Sequence, residues 1–217
     1  MALKDFDRRL AHACYRLRGH DHATISYALD AGASIIVPHV DTVEQAKDIV
    51  AATKFGTANR GTRSTPPTRW LTDLNDVGID PTQSIWENMN RTAAVIIQIE
   101  CLAAINNLDG ILTAVGDQID AVWMGTLDTR ASMGLDGLWG EEPEFQAAVS
   151  KYEATLRKHD KPNAGPCFGG QWERAENKMF TVVAADFMTL AADVAKIKEA
   201  REHLGPLKAK GHLNGHA

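Results

Sequence analysis

The sequence predicts an α/β fold built on a parallel sheet. Three observations carry that expectation. Strand-like and helix-like patterns alternate along the chain, no run of consecutive strands occurs, and the strand segments are mostly unbroken apolar runs. Repeated βα alternation gives a parallel sheet buried on both faces, so its strands lose the alternating pattern of a half-solvated sheet. Six such units can be counted, and the sheet is either doubly wound or closed into a barrel. A barrel closes with eight strands, so two would be missing. No Gly-rich phosphate fingerprint follows the first strand, which weakens a dinucleotide-binding form of the doubly wound class.

The elements follow in order. Residues 12–19, "HACYRLRG", form a strand candidate that ends in Arg16 and Arg18. Residues 23–32 form a short helix, with Gly32 where a left-handed C-terminal cap sits. "SIIVPHV" is a β-branched apolar run expected in the sheet interior. The helix over 41–55 starts at Asp41 or Thr42, with Glu44 or Gln45 completing a capping box and Val43, Ala46, Ile49 and Val50 on the apolar face.

Residues 56–80 lack periodicity and are rich in Gly, Thr, Asn and Pro, a long excursion of the kind usually functional or mobile. Asp80 and Pro81 then predict a helix start, as N-cap and first helical residue. A strand over 93–100, a helix over 101–115 and a strand over 120–125 follow. Pro143 opens a helix whose Phe145, Val149, Tyr152 and Leu156 share one face. Residues 163–169 and 180–186 read as two more strands separated by a short helix over 171–179. The closing helix, 187–204, is expected to bury Leu190, Val194 and Ile197. Residues 1–204 read as a single domain and 205–217 as a flexible polar tail.

Composition narrows the function class. The chain has 217 residues and a formal charge of −5 with no block of Lys or Arg, so nucleic acid and anionic membrane are not expected partners. No apolar stretch approaches the roughly 20 residues of a membrane span, and "MALKDFDRRL" has no secretory signal pattern. Cys14, Cys101 and Cys167 are scattered and odd in number, which suits buried thiols in a reducing, cytoplasmic compartment. Of the eight histidines, His20 and His22 form the close pair, and an H-x-H alone is usually a solvated turn.

Chemistry is expected where the strands end. Val95–Ile99 runs directly into Glu100, and Ala121–Met124 is followed within a few residues by Asp128. In parallel α/β folds the C-terminal strand ends face the site. Two carboxylates on adjacent strands there repel each other and are poorly solvated unless a cation neutralises them, and oxygen ligands with water suit Mg²⁺ or Mn²⁺. The plainer alternative is that strands simply end in charged residues where they meet water. Arg16 ends the first strand at the same mouth. It is either an ion-pair partner of the acids or a holder of a carboxylate or oxyanion. Gln98 shares the face of Glu100 and could add a hydrogen bond or be an interior amide.

These residues are familiar as a set. "ALDAGASIIVPHVDTVEQAKDIV", "VIIQIE" and "DAVWMGTLDTRASMG" resemble the HpcH/HpaI aldolase family of metal-dependent class II pyruvate aldolases, which includes citrate-lyase-type and macrophomate-synthase-type relatives. The likeness lies in an ordered series: an arginine on one strand, a V-P strand, Q-I-E on another, then G-x-x-D-x-x-x-x-M-G. It implies a (β/α)8 TIM barrel of the phosphoenolpyruvate/pyruvate type, N-terminally shortened to about six βα units. It also implies a divalent cation (Mg²⁺, Mn²⁺ or Co²⁺) held by Glu100 and Asp128, and a small 2-oxo acid substrate. By the same resemblance Arg16 stabilises the pyruvate enolate, Gln98 lines the pocket, and Gly125 and Thr126 hold the carboxylate through backbone amides. A homo-oligomer is implied as well.

Two departures from the family pattern are present. Members usually begin with two further strands, the second ending in D-x-E-H, whose histidine moves the proton; this chain contains no D-x-E-H. Thr126 and Leu127 stand where the family commonly has Pro and Ala. Two functions are therefore compatible with the sequence. One is a lyase cleaving a 4-hydroxy-2-oxo acid to pyruvate and an aldehyde, or an oxaloacetate-decarboxylating relative passing through the same enolate. The other is a shortened homologue that binds metal or ligand, or serves as an oligomer partner.

Overall fold

A computed structural model describes residues 13–65, 80–168 and 178–204. Its centre is a six-stranded, wholly parallel sheet in the spatial order β1 to β6. The strands are β1 Cys14–Arg16, β2 Ser34–Val37, β3 Val95–Ile99, β4 Ala121–Met124, β5 Asn163–Pro166 and β6 Lys178–Val182. Each strand lies beside its predecessor, with no point where the order reverses. A doubly wound sheet must reverse to place helices on both faces; winding that never reverses keeps the crossover helices on one side and curls the sheet. The described strands form a curled partial barrel, six where closure takes eight.

Side-chain alternation assigns the two faces. Val95, Ile97 and Ile99 of β3 join Ile35, Val37, Val122 and Met124 in the larger core beneath the helices. Ala94 and Ile96 point the other way and pack with Ile36, Ala121 and Ala164 on the concave face. An uninterrupted apolar run therefore conceals two different environments.

Seven α-helices are described. They are α1 His22–Asp30, α2 Val43–Thr53, α3 Ile85–Arg91, α4 Leu102–Val115, α5 Thr126–Ser132, α6 Pro143–Lys158 and α7 Asp186–Leu204. Gly32 after α1 has φ +85°, the left-handed conformation expected of it. At α2 the capping box is Thr42 with Gln45. Tyr152 of α6 is wholly buried, and its hydroxyl lies between the Val122 carbonyl at 3.0 Å and Asn163 Oδ1 at 2.9 Å, which ties α6 beneath β4 and β5.

Several expectations are corrected. The helix after the long excursion starts at Ile85, not at Asp80–Pro81. Ser84 and Glu87 make a reciprocal capping box there, whereas Asp80 accepts from the N–H and hydroxyl of Thr82 and closes a turn. Strand β6 begins at Lys178, inside the segment expected to be helical. The remainder of that expected helix lies outside the described residues, as do residues 66–79 of the excursion and the tail from 205. The excursion's opening is anchored, with the N–H groups of Thr62 and Arg63 donating to Ala51 and Lys54 at the end of α2.

The largest correction concerns α7, which buries none of its residues. Leu190, Val194 and Ile197 are 64%, 50% and 52% exposed. Their helical spacing is real, but a periodic stripe specifies which face is apolar and not what covers it. No described helix is long and apolar enough to cross a membrane.

One polar clamp organises the loop between α5 and α6. The buried Arg130 guanidinium donates to both carboxylate oxygens of Glu142, at 2.6 and 2.8 Å, and to the Asp136 and Gly137 carbonyls, while lying 4.8 Å from the Phe145 ring. Hydrogen bonds from Arg130 hold the Glu142 carboxyl down to about 2. A depressed carboxyl contributes stability above its unfolded value near 4.5 and loses it as pH falls toward 2. Glu142→Gln should therefore lower the melting temperature at neutral pH, with the gap to wild type closing on acidification through that window. Phe145→Ala, which empties a fully buried site, should cost about 3–5 kcal/mol in chemical denaturation.

Candidate active site

The concave face turns polar at the C-terminal ends of β1 to β4. On β3 the inward positions read Ala94, Ile96, Gln98 and Glu100, so the apolar floor gives way to an amide and then an acid. Gln98 and Glu100 are 4% and 2% exposed. Arg16 is level with Ile36, and Ile36 with Ile96, which sets Arg16 one inward position below Gln98. Inward positions are about 6.6 Å apart along a strand, a span that a long guanidinium side chain bridges. Arg16 Nε donates to Gln98 Oε1 at 2.7 Å, and one of its terminal nitrogens lies 3.5 Å from Glu100 Oε1.

The other carboxylate oxygen of Glu100 is held from β2. The chain leaves that strand through Pro38 and turns at His39, whose φ of +49° is unusual for a residue with a side chain. This aims the His39 N–H at Glu100 Oε2, at 2.8 Å, and leaves the ring Nε2 3.7 Å from the same oxygen. His39 was not singled out from the sequence. The signal was available: it follows a fully buried strand at the end where Arg16 and Glu100 also emerge.

Gly125 is the next inward position after Trp123 on β4, and its N–H donates to the Ile99 carbonyl. Its φ of −76° makes no demand for glycine. The demand is spatial: a Cβ there would stand 2.6 Å from both Cγ and Oε1 of Glu100. Thr126 opens α5, and Asp128 lies in that helix's first turn rather than in a loop.

Burial raises the Glu100 carboxyl above its ordinary value. The His39 N–H and the charges of His39 and Arg16 draw it back, and the negative charge of Asp128 pushes it up again. The structure thus brings Arg16, Gln98, Glu100 and Gly125 together on one face and places Asp128 within electrostatic reach. His20, in the turn after β1, has its Nε2 2.5 Å from the Pro38 carbonyl, next in the chain to His39, whereas His22 opens α1 with its Nε2 3.1 Å from the Thr62 carbonyl. Among the described residues no three His, Cys, Asp or Glu side chains gather in a preformed metal cluster. A mouth with acids on one side and a guanidinium on the other can bind a cation and an anionic oxygen side by side.

Comparison with known proteins places this arrangement. A family model described as HpcH/HpaI aldolase/citrate lyase matches residues 2–198. A 4-hydroxy-2-oxovalerate aldolase of Novosphingobium aromaticivorans is 38% identical over 58% of this chain and 44% of its own length. A hydroxypyruvate/pyruvate aldolase of Agrobacterium fabrum is 33% identical over 79% of this chain and 60% of its own. The chain thus spans about half the length of the curated relatives it matches. Among solved structures, macrophomate synthase superposes with a TM-score of 0.70 at 23% identity, covering 90% of this chain and 68% of that one. An HpcH/HpaI aldolase of Desulfitobacterium hafniense gives 0.70 at 20% identity, covering 88% and 73%. These likenesses show the fold.

The raised carboxyl has a consequence for stability. A group bound more tightly to its proton in the folded state favours folding most below its unfolded value, near 4.5, and loses that contribution as pH rises through the raised value. Glu100→Gln retains an acceptor for the His39 N–H without the charge. In the presence of a chelator it should melt above wild type at neutral pH, with the difference vanishing toward about pH 4.

Proposed function

The chain belongs to the HpcH/HpaI aldolase/citrate lyase family, and from that premise we propose that it is a divalent-metal-dependent carbon–carbon lyase. The reaction is retro-aldol cleavage of a 4-hydroxy-2-oxo acid to pyruvate and an aldehyde, or the reverse addition. The observation that carries this reading is the inward-facing series Arg16, Gln98 and Glu100, with Asp128 close by, at the strand-end mouth of a partial barrel. The aldolase names of the relatives support the same reaction class.

The donor set fits a cation. Glu100 is buried and reluctant to ionise beside Asp128, and a divalent ion between them removes both penalties. Glu100 and Asp128 would hold it, with water and substrate oxygens completing the shell. When bound, the ion supplies Lewis-acid polarisation of the 2-oxo group. Arg16 presents a planar, permanently charged fork where negative charge grows as the carbon–carbon bond breaks, and that charge is largest in the transition state. Gln98 fixes the fork by accepting from Nε, so that the terminal nitrogens, one of them 3.5 Å from Glu100 Oε1, face the mouth. Arg16 and His39 both have about half of their side-chain surface exposed, so water reaches the mouth to exchange protons with the product. A cytoplasmic setting suits the thiols, of which Cys14 is pushed up to about 11 by burial.

Copies of the chain are proposed to associate. Phe187, Leu190, Val194 and Ile197 form an exposed apolar stripe on α7, and such a stripe favours association. Sedimentation at micromolar concentration should show an oligomer, and a compact monomer would contradict this.

Two measurements test the site. In calorimetry, Glu100→Gln and Asp128→Asn should each weaken divalent-ion binding roughly tenfold or more, and unchanged affinity in both would reject the assignment. Proton exchange at the pyruvate methyl, followed by NMR in deuterated water with Mg²⁺, should exceed that of Mg²⁺ in buffer alone. Arg16→Lys should retain ion affinity and lose most of that exchange, because the charge stays while the fork is lost. Exchange no faster than buffer would leave a binding protein rather than a lyase.

A further inference from the structure

We propose that His20 is the proton-transfer base of this mouth, with Nδ1 as its basic atom. The inference rests on the lyase reading above and supplies the one group that reading leaves unassigned. Breaking the C3–C4 bond of a 4-hydroxy-2-oxo acid needs an acceptor for the C4 hydroxyl proton. Arg16 is permanently charged, Gln98 has no basic atom, and Glu100 and Asp128 hold the cation in that reading.

Position carries it first. Strands β1 and β2 run side by side to their ends, where the Leu17 N–H donates to the Ile36 carbonyl. The chain leaves β1 through Arg18 and Gly19, and His20 then reaches across to the exit of β2, with Nε2 2.5 Å from the Pro38 carbonyl. The other side of that same peptide unit donates the His39 N–H to Glu100 Oε2 at 2.8 Å. The O and N atoms of one peptide are about 2.3 Å apart, so His20 Nε2 stands within about 8 Å of Glu100 Oε2. The oxygens on C2 and C4 of the substrate are about 3–5 Å apart, and a hydrogen bond adds about 3 Å. A substrate with its C2 oxygen beside Glu100 therefore spans the distance to the His20 ring.

The hydrogen bond to Pro38 gives a second, independent indication. A carbonyl only accepts, so Nε2 holds the proton of the neutral ring and Nδ1 keeps its lone pair. A base oriented through its other nitrogen by a third group is the arrangement that proton transfer needs. Among the described residues Nδ1 has no hydrogen-bond partner, and the residue is partly exposed. The neighbouring histidines are not equivalent. His22 has both ring nitrogens engaged, Nε2 at the Thr62 carbonyl and Nδ1 3.5 Å from the Ser26 hydroxyl. His39 turns its Nε2 toward Glu100, 3.7 Å from Oε2.

In cleavage Nδ1 takes the C4 hydroxyl proton, the C4 oxygen becomes the aldehyde carbonyl, and the C3–C4 electron pair enters the enolate beside Arg16. The imidazolium then returns the proton to C3, which gives the pyruvate methyl and restores the neutral ring. Addition runs the same steps backward. With pyruvate alone, Nδ1 removes a methyl proton, exchanges it with water and returns a solvent one.

The test is that methyl exchange, followed in deuterated water with Mg²⁺ on the whole chain. His20→Asn keeps an N–H donor for the Pro38 carbonyl without a basic nitrogen. It should exchange roughly a hundredfold or more slower than wild type, with Mg²⁺ affinity in calorimetry nearly unchanged. His20→Ala leaves a gap, so millimolar imidazole should restore much of the exchange in His20→Ala and none in His20→Asn. Exchange in His20→Asn within a few-fold of wild type overturns the proposal and leaves the lyase reading standing. So does a loss in His20→Ala that imidazole fails to restore, or a loss accompanied by an equal fall in Mg²⁺ affinity. Wild-type exchange no faster than that of Mg²⁺ in buffer overturns both.

Discussion

The site depends on one buried carboxylate. Glu100 is nearly inaccessible, and a carboxylate so placed is tolerated only where its oxygens are met by donors or charge. Oε2 takes the His39 N–H from the end of β2, Oε1 faces Arg16 from β1, and Gly125 after β4 leaves the Glu100 side chain room. Three neighbouring strands are thus fitted to one residue of β3. These partners offset burial incompletely, because the carboxyl remains above its ordinary value. The remaining imbalance is what the proposed cation would relieve.

The scaffold explains how this can be built from the described strands. The parallel order without reversal brings successive strand ends to one rim, and β1 to β4 suffice to supply Arg16, His39, Gln98, Glu100 and Gly125. Strands β5 and β6 contribute none of these groups. The apolar helix layer provides rigidity, with Tyr152 and the Arg130–Glu142 clamp fixing α6 and the loop that precedes it. Support and chemistry therefore occupy opposite faces of the same sheet.

The same division separates the stable and exposed parts of the molecule. The core under α1 to α6 is closed, whereas α7 presents its apolar stripe to solvent. Burial of that stripe needs a surface that the described part of a single chain does not provide. Oligomer formation would meet that need without altering the rim.

The sequence by itself determined the alternation of strands and helices, a capping box at Asp41 or Thr42, the turn at Gly32 and the acids that end the strands. Each is encoded locally, by period, by a cap or by a residue that tolerates positive φ. Gln98 and Glu100 were legible because spacing by two puts residues on one face of a strand. Other features required the fold. Val95 and Ile96 are equally apolar, and the curvature of the sheet decides that one faces the helices and the other the concave side. The helix start at Ile85 went to Ser84 because its capping box satisfies more backbone donors than the Asp80 turn, a competition that two plausible signals in sequence do not settle. The steric demand for glycine at position 125 is set by Glu100 across a strand pair and has no local signal in the sequence. His39 looked like the end of an apolar run, and only the pairing of β2 with β3 brings its N–H and ring to a carboxylate 61 residues further along the chain.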